Sequence, residues 1–271
     1  MGSTNRGNAA NALRVEERTI AGHAQEVRLR LHRPAGTGRL PGVLYLHGGG
    51  FTSGSPEEAE VAASHIARAI PALVVSVAYS LAPAHPFPTA LLDAHRAGLW
   101  MEETAGALGI RSGGLGLAGH DAGGHVATSL TFMARDQGGP RIAAVALLGP
   151  MLDPSLTRAD DGADPDSDRS VAACARCYRA YLPDAVLRLH PYASPLDSSR
   201  LGRLPPALII TAEKDVLRAE AERYAARLIE AGVPTETIRF ANVTHAALPA
   251  HGPALDAASD FLRRRLTGAR S

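Results

Sequence analysis

The segment Gly119-His120-Asp121-Ala122-Gly123-Gly124 restricts the folds open to this chain more than any other stretch. Before it, Leu115-Gly116-Leu117-Ala118 reads as a buried strand, and after it His125 to Ala134 reads as a helix. A strand that turns this sharply into a helix needs small residues on both sides of the apex, because larger ones would collide across the turn. Here the small residues flank Asp121. Elbows of this shape commonly present a serine, so a carboxylate at the apex alters which reactions are open to the site.

A chain of 271 residues can bury one substantial core. With 45% hydrophobic and 20% charged residues it has the balance of a soluble globular protein, not of a disordered one. The formal charge of +1 offers no basic field for nucleic acid or for an anionic membrane surface. Residues Met1 to Ala12 lack the apolar segment of a secretory signal, and no apolar run approaches bilayer thickness. The expectation is a cytoplasmic protein without membrane insertion. Residues 1–24 are expected to form a partly disordered extension, followed by a single domain over 25–271.

Within that domain the pattern alternates strand and helix, which predicts an α/β architecture with a mostly parallel sheet covered on both faces. Expected strands are Val27 to His32, Val43 to Leu46, Ala72 to Ala78, the elbow strand, Ile142 to Leu148, Ala207 to Thr211 and Glu236 to Phe240. Expected helices run from Pro56 to about Ile70 and from Thr89 to about Ala105. Others follow the elbow, occupy Leu217 to Leu228 at helical spacing, and span roughly Pro253 to Leu266. The stretch at about 151–194 breaks the alternation. It combines an Asp-rich loop (Asp160, Asp161, Asp164, Asp166, Asp168) with a helix and reads as a short lid over the strand ends. Cys174 and Cys177 lie in that helix. With no second cysteine or histidine pair to complete four ligands, they read as two small buried thiols.

Three further pieces accompany the elbow: the loop His47-Gly48-Gly49-Gly50, then Asp215 after a strand, then His245 after the next strand. The order apex residue, acid, histidine is that of an α/β-hydrolase, with all three at C-terminal strand edges. Taken singly, Asp215 reads as a helix N-cap and His245 as a satisfied loop histidine. Their order relative to the elbow favours a joint role. His47, His85, His120 and His125 read as packing or hydrogen-bonding residues.

The chain resembles the bacterial hormone-sensitive-lipase-like branch of the α/β-hydrolases. The resemblance rests on His47-Gly48-Gly49-Gly50-Phe51, on Tyr79 to Pro88, on Leu204 to Ala212, on Asp215-Val216-Leu217-Arg218, and on Thr244-His245. Ala193-Ser194-Pro195-Leu196 resembles that family's return from lid to core. It implies an α/β-hydrolase fold with a short lid, no metal or organic cofactor, and a small-molecule substrate. It implies a catalytic group of Asp121, His245 and Asp215, with the amides of Gly49, Gly50 and Ala122 as an oxyanion hole. Relatives of this kind often pair through the last strand, so a homodimer is among the expectations.

An aspartate at the apex points away from ordinary ester cleavage. Attack by a carboxylate on an ester would form a mixed anhydride while expelling a far more basic alkoxide, an uphill step. Three readings remain. Asp121 can displace a leaving group or open a strained ring at a saturated carbon, giving an alkyl-enzyme ester that His245 hydrolyses, as in epoxide hydrolases. Tyr178 and Tyr181 could then offer phenols to an epoxide oxygen, although a packed aromatic stripe reads better. Haloalkane chemistry is disfavoured because Ala122 stands where such elbows carry Trp. The second reading is proton transfer without an adduct, as in a dehydratase, isomerase or cyclase. The third is a silent ligand-binding protein, or an esterase engineered from Ser to Asp at this position.

Overall fold

The computed structural model describes residues 12–36, 38–159 and 167–267. Its centre is one eight-stranded sheet in the order β1-β2-β4-β3-β5-β6-β7-β8. The strands are β1 (Leu13–Ala21), β2 (Glu26–Pro34), β3 (Gly42–Leu46), β4 (Leu73–Val77), β5 (Leu115–His120), β6 (Ile142–Leu148), β7 (Ala207–Lys214) and β8 (Thr235–Thr244). β2 pairs antiparallel with β1 and β4, and all pairings from β4 to β8 are parallel. The helices are α1 (Glu60–Ala69), α2 (Thr89–Glu103), the short α3 (Ala105–Leu108), α4 (Asp121–Gln137), α5 (Val171–Tyr181), α6 (Arg218–Glu230) and α7 (Gly252–Thr267).

The two-residue period of a strand sorts the core into two layers. In β3, Leu44 and Leu46 face a layer with α2, α4 and α6, while Val43 and Tyr45 face one with α1 and α7. In β7, Ile209 joins the first layer, and Leu208 and Ile210 join the second. Central strands covered on both sides must be apolar on both sides, which explains the unbroken runs VLYL and LVVSV. The parallel connections leave the C-terminal ends of β3, β5, β7 and β8 at one rim, where ligands bind in open α/β sheets.

Three expectations need correction. Part of the extension expected at 1–24 belongs to the sheet, because Leu13–Ala21 forms β1, the edge strand. Its sequence LRVEERTIA hides this: an edge strand half in water carries charge, and Glu17 pairs with Arg28 and Arg30 of β2 at 2.8 Å each. The helix expected from Pro56 begins only at Glu60. Residues 56–59 form a turn, and Glu57 is drawn toward β2 by Arg28 Nη2 at 2.9 Å. Finally, the helix after the elbow starts at Asp121 itself, and β7 and β8 run on to Lys214 and Thr244. The lid helix is α5, and the run Asp160, Asp161, Asp164 and Asp166 lies outside the described residues. Among the described residues, no helix is long and apolar enough to cross a membrane.

The elbow is held by close backbone approach. A Cβ on Gly123 would run into the carbonyl oxygens of Leu46 and His47, which are backbone and cannot yield. We expect Gly123→Ala to lower unfolding stability by about 1–3 kcal/mol, the usual cost of overpacking, or to prevent folding. Urea unfolding of the purified variant checks this; an unchanged midpoint would show that β3 and α4 pack more loosely than described.

Candidate active site

Asp121 sits at the apex with φ of 55°, a left-handed conformation that a non-glycine residue seldom adopts. The strain is tolerated because β5 enters and α4 leaves through buried residues on every side. The turn projects the carboxylate over the strand ends, where it is 1% exposed.

Oδ2 of Asp121 accepts hydrogen bonds from the backbone N–H groups of Gly49 (3.0 Å) and Gly50 (2.8 Å). These two of the three expected donors converge on one oxygen. The third, Ala122, is buried in the first turn of α4. Oδ1 is placed differently. It lies 3.0 Å from Arg169 Nη2 and 3.4 Å from His245 Nε2, yet neither contact is aligned as a hydrogen bond. One carboxylate oxygen is therefore cradled while the other is only ion-paired.

His245 follows β8 and is 2% exposed. Its Nδ1 lies 2.8 Å from Asp215 Oδ2, and Asp215 Oδ1 accepts the Leu217 amide at 2.9 Å. Asp215 is not the N-cap of α6, which is Leu217; one of its oxygens steadies the turn before that helix and the other faces the imidazole. His120 packs on His245 with ring centroids 4.6 Å apart, its Nε2 3.2 Å from the His245 carbonyl oxygen.

Arg169 had no signal in the sequence. It precedes α5, reaches the strand ends from the lid and is 16% exposed. A single arginine in a loop next to an acidic run carries no spacing or motif, and only the folded lid shows where it points. Its neighbour Asp168 accepts the Ala246 amide at 3.0 Å, so consecutive lid residues grip the loop that bears His245.

Burial pushes the Asp121 carboxyl up, but the Arg169 guanidinium and His245 outweigh it and hold the group well below the usual range. Burial pulls the His245 imidazole down, and the carboxylates of Asp215 and Asp121 override this, raising it to about 9. Buried His47, His120 and His125 are lowered to about 4. They act as packing groups: His47 stacks on Tyr79 at 4.2 Å, and His125 Nδ1 lies 2.9 Å from the Met151 carbonyl oxygen. His85 lies apart, in the turn between β4 and α2, and is half-exposed.

The described cavity at this point has a volume of 210 Å³ and is lined by Tyr45, Glu58, His120, Asp121, Arg169 and His245 among others. Its size suits a small molecule. Tyr178 and Tyr181 line no part of it. Both are 1% exposed, and Tyr181 stacks on Phe51 with centroids 3.9 Å apart, so the packed aromatic stripe is the outcome. Cys174 and Cys177 are free thiols; Cys174 is buried and its Sγ accepts from Arg169 Nε at 3.2 Å. Among the described residues, no group of histidine, cysteine and carboxylate side chains is arranged to hold a metal.

An anion cradled by amides, a second oxygen facing an imidazole, and a carboxylate behind that imidazole can support attack, proton transfer and oxyanion stabilisation. The pKa directions fix the pH response. The unfolded chain protonates its histidines below 6.5, whereas His47, His120 and His125 stay neutral to about 4, so stability falls as pH drops between these values. His245 contributes in the opposite sense: its stabilisation is complete below 6.5 and is lost as pH rises through about 9. Urea midpoints measured across this range should peak in the middle. Asp121→Asn should bring the His245 titration, followed by imidazole NMR, below its wild-type value; an unmoved titration would mean the two side chains are not coupled.

Comparison with known proteins identifies the fold family. A family model described as the alpha/beta hydrolase fold matches residues 43–249. Esterase LipI of Mycobacterium tuberculosis is 36% identical over 243 residues, covering 86% of this chain and 74% of the relative. Carboxylesterase NlhH of the same organism is 35% identical, covering 90% of this chain and 82% of its own length. Among solved structures, an esterase of Pyrobaculum calidifontis superposes with a TM-score of 0.85 at 36% identity, over 94% of this chain and 85% of the other. A thermostable esterase from Pseudomonas putida gives 0.88 at 32% identity, over 94% and 83%. With the family model matching residues 43–249 and solved esterases superposing over most of its length, this chain belongs to the alpha/beta hydrolase fold family.

Proposed function

We propose that the protein hydrolyses a small electrophile through an alkyl ester on Asp121, and that an epoxide is the substrate type. One observation carries the reading: the Asp121 carboxylate is split between an oxygen seated on the Gly49 and Gly50 amides and an oxygen without an aligned donor. Oδ1 is then the nucleophile. Its lone pair forms a C–O bond to a ring carbon as the ring C–O bond breaks, and the departing oxygen takes a proton from the His245 imidazolium. Asp121 has become a neutral ester, so one of the two anions that raised the His245 pKa is gone. The neutral imidazole, held by Asp215, now removes a proton from water.

The resulting hydroxide attacks the ester carbon. Negative charge collects on Oδ2, where the Gly49 and Gly50 amides already point. Collapse releases the alcohol product and restores the carboxylate and the imidazolium, so protons balance over one cycle. Acyl esters are poor substrates in this scheme. The relatives are named as esterases, and we take Asp121 to stand where a serine would make this scaffold an esterase too.

A second reading, a silent binding site, is favoured by the Arg169–Asp121 pair at 3.0 Å, which a substrate must displace before Oδ1 can react. Two experiments separate these. In a single turnover in ¹⁸O-labelled water, mass spectrometry should find label in Asp121; label confined to product, with turnover observed, would remove the alkyl-ester route. Asp121→Ser should gain short-chain ester hydrolysis by about 10²-fold or more, because the oxyanion donors and the histidine remain in place. Strong esterase activity already present in the unaltered protein would overturn the proposal.

A further inference from the structure

Arg169 pairs with the reacting carboxylate, yet the proposed cycle gives it no task. Its donors are poorly matched for so buried a cation. Nε bonds the sulfur of Cys174 at 3.2 Å, Nη2 reaches the sulfur of Met151 at 3.5 Å, and Nη1 lies 3.3 Å from His245 Nε2. Sulfur is a weak acceptor, and an imidazole nitrogen accepts only while it is unprotonated. Nη2 also lies 3.0 Å from Asp121 Oδ1, and that contact is misaligned. Among the described residues, a planar fork built for two parallel N–H···O bonds thus makes no aligned hydrogen bond to a carboxylate.

Its position adds a second point. Arg169 and Gly49 line both the inner cavity and a neighbouring outer one of 470 Å³, which is also lined by Thr52, Ser53, Ser167 and Ser170. Arg169 therefore stands at the border of the two spaces. Of the hydroxyls lining the outer one, those of Ser53 and Ser167 donate to the carbonyl oxygens of Gly49 and Arg169, which leaves those of Thr52 and Ser170 to donate to an anion. A neutral substrate would have to break the Arg169–Asp121 pair with nothing in exchange. An anionic one replaces the partner it displaces and leaves Oδ1 free to attack.

We infer that Arg169 is a specificity-determining residue that binds a carboxylate on the substrate, so that the site takes small carboxylate-bearing electrophiles in preference to neutral ones. The substrate class rests on the alkyl-ester reading, whereas the anion-binding part does not. Asp168 also lines the outer cavity and would repel an anion, but it is engaged by the Ala246 amide at 3.0 Å.

The test has a binding arm and a kinetic arm. By calorimetry, propionate should bind the wild-type protein more tightly than propionamide does. Arg169→Gln should weaken propionate by about tenfold or more, the scale of a charge-assisted pair, and leave propionamide unchanged. Arg169→Lys, which keeps the charge but not the fork, should retain part of the difference; thermal unfolding of each variant verifies that it is folded. Equal binding of the two probes, or no effect of Arg169→Gln, overturns the inference. In the kinetic arm, oxirane-2-carboxylate should exceed propylene oxide in kcat/KM by about tenfold, with Arg169→Gln erasing the gap chiefly through KM. Equal turnover of both epoxides sinks the inference and leaves the alkyl-ester reading standing. Arg169-dependent propionate binding without turnover of either epoxide does the reverse.

Discussion

The site turns on where one carboxylate is held. Asp121 occupies a left-handed backbone conformation at the end of β5, and its Oδ2 is gripped by two amides of the loop after β3. That contact joins the elbow to the glycine loop; the ion pair from Oδ1 to Arg169 adds the lid, and the approach of His245 adds the loop after β8. Four segments far apart in the chain thus meet at a single buried anion. A buried charge is costly unless it is paired and hydrogen-bonded, so the surrounding donors are a condition for the fold as well as for chemistry.

The pairing also divides the labour between the two oxygens. Amide N–H groups are fixed dipoles that need no reorganisation when charge develops on Oδ2. Arg169 and His245 reach Oδ1 through side chains in unaligned contacts, and those are the contacts that a ligand can exchange. The rigid half of the arrangement comes from backbone at strand ends, whereas the exchangeable half comes from the lid and from a loop. Such a split lets one residue be anchored tightly and remain reactive.

Much of this was legible before any coordinates. Alternation of apolar runs pointed to a doubly covered parallel sheet, and the elbow, the glycine loop, Asp215 and His245 were picked out by order and spacing; the structure brings all four together. What escaped notice has physical reasons. β1 is an edge strand whose Arg14, Glu17 and Arg18 are exposed, so it lacks the apolar signature of the interior strands. The start of α1 is not legible at Pro56, because proline is tolerated in a turn as well as in a first helical turn. Tyr178 and Tyr181 share helical spacing whether they line a cavity or fill a core, and side-chain period alone does not separate the two.

The sequence by itself determined the architecture and the chemical identity of the apex, because strand and helix periodicity and the small residues of a tight turn are local properties written in consecutive positions. Only the tertiary structure decided the state of the carboxylate: which oxygen the amides hold, which one is left to ion pairs, and that an arginine from the lid supplies the counter-charge. Those facts depend on distances between residues that are 48 to 124 positions apart from Asp121 in the chain. Electrostatic coupling acts through space, and no periodicity along the backbone records it.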